Sequence, residues 1–323
     1  GQSLEMLVKE LDRHQVDFFH IDSKDNAAVF ADIHSIRDWS QTPVDLHLIT
    51  ANPFLYLEHL REDRVELVTY QYELLENMEL PILNQTETGI AIVSDTPLSA
   101  LDVVVEQVDF VLFMTTTPGE SGGQFRRENF QRIRDFRRRH PQVRVHVDGG
   151  VNDEVSFILR NLGVYSAVSG SYLLNGESIS ASLHSLKVAD TNSHYRVEDF
   201  MIGLIETPLL PISETHLISV LQTIEDFGLG LAIVTHGDGR LAGISTNADV
   251  RRALLKHPQN LHQVPPEELL NTSPLVAYAD ETVAELLQKV KQTSFPVSYL
   301  PVVDRQEKVV GTLTFANLVK GEM

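Results

Sequence analysis

The chain of 323 residues carries 26 Lys plus Arg against 45 Asp plus Glu, a formal charge of −19, with 42% hydrophobic and 22% charged residues and no cysteine. Such values describe a folded chain of about two domains; they exclude disulfides and thiolate chemistry and set the overall field against nucleic acid and anionic lipid. The longest apolar runs, FVLFM (110–114) and LGLAIV (229–234), fall far short of the ~20 residues of a membrane helix. With no signal-peptide pattern in GQSLEMLVKELDRHQ, no membrane partner, no nucleic acid and a cytoplasmic location are expected.

SLEMLVKELDRH opens the chain as a helix, and DFFHID (17–22) follows as a strand. His20 and Asp22 are two apart and so share one strand face, placing an imidazole and a carboxylate together where the strand ends. VDLHLI (44–49), with His47, is the next strand, then a helix FLYLEHL, strands VELVTY (65–70) and GIAIV (89–93), and a helix PLSALDVVVEQ. Strand VDFVLFM (108–114), helix ENFQRIRDFRRRH, strand VRVHVD (143–148), helix DEVSFILRNL and strand YSAVSG (165–170) complete the series. Alternating strands and helices predict a parallel sheet with right-handed crossovers. Seven strands preceded by a helix predict an α/β (β/α)8 barrel whose first strand is absent from the chain, over residues 1–186.

Residues 187–201 are polar and aperiodic and read as a linker. Beyond them, 208–254 and 273–319 share one order of helix, strand, polar turn, Gly-led strand and helix, at a period of about 65 residues. Two copies of one unit predict an α+β domain over 202–323 in which the apolar faces of the copies meet.

Taken together, HID (20–22), HLI (47–49), TYQYE (69–73), MTTTPGESGGQF (114–125), VDGGV (147–151) and GS (170–171) resemble, in that order, the ribulose-phosphate 3-epimerase family. The resemblance implies a metal-dependent barrel that inverts C3 of a ketose phosphate. It puts the family's metal ligands on His20, Asp22, His47 and Asp148, for a divalent ion such as Zn2+, Mn2+ or Fe2+. Asp22 and Asp148 become ligands and proton carriers at once, one removing the C3 proton and the other delivering one from the far side. Because the chain is acidic, phosphate needs a local cradle, and the backbone N–H groups of Gly122, Gly123, Gly149, Gly150, Gly170 and Ser171 are the candidates. Departures touch the pocket wall: Lys24-Asp25-Asn26 replaces M-D-G with a shortened loop beyond it, Gln71 stands where the family has His, and PGESGGQ holds an extra residue.

The second half is similar to tandem cystathionine-β-synthase (CBS) repeats, which bind adenine nucleotides or other regulatory ligands. Thr246 and Asp249 match the T-x-x-D that holds ribose in such repeats, whereas the second copy has Asn317 in place of Asp. Both resemblances imply a homo-oligomer.

Blander readings stand beside these. His20 or His47 alone is an ordinary core histidine; His146 shares a face with Asp148 and reads as packing. The glycines could simply make turns. Asp249 could be an ordinary helix cap. Phe130, Ile133 and Phe136 mark the basic run as a solvated amphipathic helix. DSKDNA gives two members of the D-x-K-x-x-D of related barrel decarboxylases, but Ala27 replaces the third. The competing functional class is a degenerate barrel that senses a sugar phosphate without converting it.

Overall fold

The computed structural model describes residues 3–81, 83–119, 122–187, 195–259, 264–293 and 297–314. The chain separates into two units, 1–189 and 190–323.

In the first unit, β1 (Phe19–Lys24), β2 (Val44–Ile49), β3 (Leu67–Gln71), β4 (Glu87–Val93), β5 (Phe110–Met114), β6 (Arg144–Asp148) and β7 (Ser166–Val168) form one parallel sheet in sequence order. Every residue of β2, β3 and β5 is buried, as expected of parallel strands covered on both faces. In a flat sheet β1 and β6, five strands apart, would lie roughly 24 Å apart at ~4.8 Å per strand. Instead His20 Nε2 on β1 lies 3.9 Å from Asp148 Oδ2 on β6. The sheet is therefore strongly curled, and its concave face holds the site. Among the described residues no eighth strand pairs with either edge.

Helices cover the convex face. In chain order these are α1 (Leu4–Arg13), α2 (Val29–Trp39), α3 (Leu57–Glu62) and α4 (Glu128–Arg139). Phe130, Ile133 and Phe136 of α4 are all buried. Phe136 meets Phe113 of β5 edge-on, with ring centroids 5.6 Å apart. Arg137, Arg138 and Arg139 close the same helix, where cations complement its dipole. The basic run is thus an amphipathic packing helix. Beyond Asn26 the chain runs into α2, which buries Val29, Phe30, Ile33 and Ile36. PLSALDVVVEQ forms two 3-10 segments, Leu98–Val103 and Val105–Gln107, rather than an α-helix. Leu101, Val104 and Val105 are the buried residues of the stretch, and three successive valines disfavour an α-helix.

After β6 and β7 come α5 (Asp153–Asn161), α6 (Ser171–Asn175) and α7 (Ile179–Lys187). Residues 195–200, within the stretch expected as linker, pair into the second unit: α8 (Val197–Phe200) buries Val197 and Phe200, and Val197 N donates to Glu281 O at 2.9 Å.

The internal repeat is explicit in the second unit. A first sheet has the order β11 (Leu241–Thr246), β10 (Leu231–Thr235), β9 (Leu209–Pro211). A second runs β12 (Ala277–Tyr278), β13 (Tyr299–Val303), β14 (Val309–Thr314), with β8 (Ile202–Gly203) added at its edge. Tyr299 pairs with Thr314 as Leu231 pairs with Thr246, and the register shifts after Val302 as it does after Val234. The copies exchange reciprocal bonds, Leu241 N to Glu307 O at 2.9 Å and Val309 N to Gly239 O at 3.0 Å. Leu231, Ile233 and Ile244 of one copy pack in a single cluster with Val303 and Val309 of the other. The faces of the two copies meet as the repeat predicts.

Candidate metal centre

Four donor atoms, one each from His20, Asp22, His47 and Asp148, lie within 4.8 Å of one another. Register explains the convergence: Asp22 of β1 is paired with His47 of β2, and strand alternation puts His20 and Asp22 on the concave face with them. Curling of the sheet brings Asp148, the last residue of β6, to the same point. His47 Nδ1 is 3.0 Å from Asp22 Oδ1, and His20 Nε2 is 3.5 Å from the same oxygen.

The outward nitrogens of the two rings are already engaged. His20 Nδ1 is 2.9 Å from Asp45 Oδ2, and His47 Nε2 is 2.9 Å from Gln71 Oε1. Asp45 is fixed by its place in β2, two residues before His47 and opposite His20 in register. A carboxylate only accepts, so Nδ1 of His20 carries a hydrogen, and Nε2 is the nitrogen turned toward the other donors. Such outer partners fix ring orientation and tautomer around metals. Two ring nitrogens and two carboxylates facing one centre fit a divalent cation, which would take the place of any hydrogen on those nitrogens.

Electrostatics differentiate the members. Burial alone would lower the His20 pKa, but Asp45, Asp22 and Asp148 outweigh it and hold it well above the ordinary histidine value. Asp22 resists burial through hydrogen bonds from His20 and His47 and is held below the usual carboxylate range. Asp148 is pushed up, by burial first; the charges of Asp22 and Asp45 add to this while the two imidazoles oppose it. One carboxyl is thus biased toward the ionised form and its neighbour toward the protonated one.

Sequence reasoning missed Asp45, which sits in VDLHLI in plain view, and gave Gln71 only as a departure. His146 is, as expected, a packing residue. Its ring stacks between Phe110 at 4.1 Å and Tyr165 at 5.5 Å, and burial lowers its pKa to about 4. Lys24 and Asp25 follow the site on β1 and its turn, with Asp25 at φ 45° and its Oδ1 3.4 Å from the Tyr56 hydroxyl.

The proposed phosphate residues follow β5, β6 and β7, at the same end of the sheet as Asp148. Their glycines are of two kinds. A Cβ on Gly150 (φ +63°) would lie 2.3 Å from Phe125 N, one on Gly149 2.3 Å from Thr116 Oγ1, and one on Gly123 2.4 Å from Thr116 Cγ2. Gly149 and Gly150 seat the loop after β6 against the loop after β5, and Gly123 lets that latter loop close on itself. At Gly122 (φ +85°) and Gly170 a Cβ would meet open space, with no described atom within 4 Å, and Gly170 immediately precedes α6, whose first residue is Ser171. Gly150→Ala is expected to cost about 3 kcal/mol, left-handed strain plus a backbone clash, against about 1–2 kcal/mol for Gly122→Ala, which has strain alone. Denaturant midpoints of the two variants check the difference.

In the second unit Thr246 and Asp249 form a capping box for α10 (Asn247–Lys256). Asp249 Oδ2 accepts from Thr246 N at 2.8 Å and Thr246 Oγ1 at 2.6 Å, and its other oxygen pairs with Arg252. Asn317 lies outside the described residues.

Comparison with known proteins agrees with this geometry. The CBS domain model matches residues 267–322. Two solved structures are similar to part of the chain: a CBS domain-containing protein from Bacillus anthracis (18% identity, 39% of this chain and 91% of that one, TM-score 0.35) and the CBS-pair protein CBSX2 from Arabidopsis thaliana (24%, 40% and 94%, TM-score 0.33). Among curated proteins, ribulose-phosphate 3-epimerase of Schizosaccharomyces pombe is 29% identical over 138 residues, covering 42% of this chain and 60% of that protein. The cytoplasmic isoform of Oryza sativa is 27% identical over 195 residues, covering 55% of this chain and 86% of that protein. The family model for ribulose-phosphate 3-epimerases matches residues 2–174, more than half of the chain and all four converging donors, and the chain belongs to that family.

Proposed function

We propose that the first unit is a metal-dependent sugar-phosphate epimerase, built as a (β/α)8-type barrel, that inverts C3 of a ketose phosphate, a pentulose phosphate foremost. The convergence of donor atoms from His20, Asp22, His47 and Asp148 within 4.8 Å carries this reading. These four residues would hold one divalent ion, Zn2+, Mn2+ or Fe2+, whose charge stabilises negative oxygens developing beside it. Asp22, held ionised by the two imidazoles, takes the C3 proton from one face, and the electron pair left behind delocalises into the neighbouring ketone as an enediolate. Asp148, biased toward its protonated form, returns a proton to C3 from the opposite face. Running the reaction backward exchanges the two roles. The backbone of Gly122, Gly123, Gly149, Gly150, Gly170 and Ser171 would hold the phosphate beyond the ends of β5 to β7.

The repeat pair is assigned to regulation by an adenine nucleotide or related ligand, with Thr246 and Asp249 at the ribose once the cap of α10 and Arg252 yield their bonds. A cytoplasmic homo-oligomer completes the reading.

The experiment is proton exchange in heavy water with a panel of pentulose and hexulose phosphates. One of them is expected to return deuterium at C3 in both epimers, and chelation is expected to stop the exchange. Metal-loaded protein that binds a sugar phosphate but exchanges no proton from any of them is a sensor instead.

A further inference from the structure

We propose that Lys24 is a specificity-determining residue that receives a second anionic group of the substrate, carried at C1, so that the sugar phosphate taken by this site is negatively charged at both ends. The inference rests on the reading of the first unit as a C3 epimerase and deepens it by naming the substrate class. Lys24 is the last residue of β1, two beyond Asp22 and four beyond His20. Strand alternation puts all three on the concave face. Its register partner is Ile49 of β2, two beyond His47 and on that same face. A Cβ on Gly119, in the loop after β5, would lie 3.4 Å from Ile49 Cδ1. A loop from β5 that reaches the concave side of β2 crosses the mouth of the sheet, so Ile49 and Lys24 stand together at the rim of the site.

The charge of Lys24 has no use within the fold. The seven strands hold two Lys or Arg residues. Arg144 opens β6 at the opposite end of the sheet and pairs with Glu87 at 2.7 Å. Lys24 ends β1 at the site, is exposed, and has no ion pair or side-chain hydrogen bond among the described residues. It stands where the resembled family has Met, an uncharged side chain. Below it Asp22, Asp45 and Asp148 crowd around His20. Three carboxylates against one divalent ion leave no surplus positive charge for a second anion, and a chain of net charge −19 supplies none from a distance. Lys24 supplies it locally.

The carbon skeleton determines which group meets it. With C3 between Asp22 and Asp148, the chain runs one way to C5 and the phosphate beyond β5 to β7, and the other way through C2 to C1. β1 contributes nothing to that cradle, so its cation is left for C1. Two strand residues span ~6.6 Å, a length that an extended lysine can cover, which lets an ammonium rooted at Lys24 lie over a group on C1. A C1 alcohol has no charge to offer it; a C1 phosphate ester or a C1 carboxylate does.

The test compares three probes on the full chain loaded with Mn2+: D-ribulose 5-phosphate, D-ribulose 1,5-bisphosphate and 2-keto-D-gluconate 6-phosphate, the last two carrying phosphate and carboxylate respectively at C1. Calorimetric Kd and deuterium incorporation at C3 are measured in wild type, Lys24→Met and Lys24→Arg, at low and high salt. Expected in wild type is a C1-anionic probe bound about 10- to 100-fold more tightly than D-ribulose 5-phosphate; which of the two shows the gain tells phosphate from carboxylate. That advantage is expected to disappear in Lys24→Met, to persist in Lys24→Arg and to shrink as salt is added. A change in metal loading acts on all three probes alike, so the ratio of affinities reads Lys24 itself. No advantage in wild type, or one that survives Lys24→Met, overturns the proposal. A Lys24-dependent advantage with no deuterium at C3 of any probe upholds the anion site and counts against the epimerase reading instead.

Discussion

Asp148→Asn is expected to lower epimerase turnover by roughly 1,000-fold or more while leaving the metal-free fold as stable as before or more so. The change is isosteric and removes one negative charge from a cluster that already holds Asp22 and Asp45. Because burial and those two carboxylates push the Asp148 pKa up, its ionised form opposes folding, and an amide relieves that cost. Its backbone carbonyl, which accepts from Thr115 N at 2.8 Å, is untouched. Asp22→Asn should abolish turnover as well, with the opposite effect on stability. The Asp22 pKa is depressed, so its hydrogen bonds with His20 and His47 stabilise the fold above the unfolded carboxylate pKa and are lost as pH falls. Thermal unfolding in chelator, run beside deuterium exchange at C3, separates the two variants. Wild-type exchange in either one would remove that aspartate from the proton-carrying pair.

The strands and the identity of the four donors are legible in the sequence because each depends on local pattern: an apolar run, a two-residue spacing, a short motif. What depends on register is not. Asp45 lies in the same hexapeptide as His47, yet its role arises from standing opposite His20 across the β1–β2 ladder, and no single strand states its own alignment with the next. Gln71 is visible as a departure from a family residue, but its value as an oriented acceptor depends on Glu73, which binds back to β4 and the turn beyond it. The glycines illustrate the same limit. VDGGV announces a tight turn, whereas the contact of Gly150 with the Phe125 backbone is between two different loops. Where local pattern misleads, residue chemistry competes with it: PLSALDVVVEQ has apolar residues close enough to helical spacing to suggest an α-helix, and its three successive valines weigh against one. In α2 the residue before the first turn is Ala28, which offers no side-chain cap; the local signal is Asn26, whose Oδ1 accepts from Ala28 N at 3.0 Å.

Metal loading is expected to weaken as pH falls, and the reason lies in His20. In the metal-free protein burial would lower its pKa, but Asp45, Asp22 and Asp148 hold it well above the ordinary value of 6.5, so the carboxylates favour the imidazolium over the neutral ring. A divalent ion must displace the Nε2 hydrogen while the Nδ1 hydrogen stays with Asp45. Uptake therefore releases a proton, and apparent affinity is expected to rise about tenfold per pH unit below the raised His20 pKa and to level off above it. Stability carries the matching sign: the raised pKa stabilises metal-free protein fully below about 6.5 and that contribution disappears as pH climbs through the folded value. The gain in melting temperature on adding Mn2+ should thus grow with pH across this window. Asp45→Asn removes the largest upward influence on His20 and should shift the window to lower pH. A metal-induced gain that is flat with pH, or an Asp45→Asn profile superimposable on wild type, would mean that no proton is exchanged for the ion at His20.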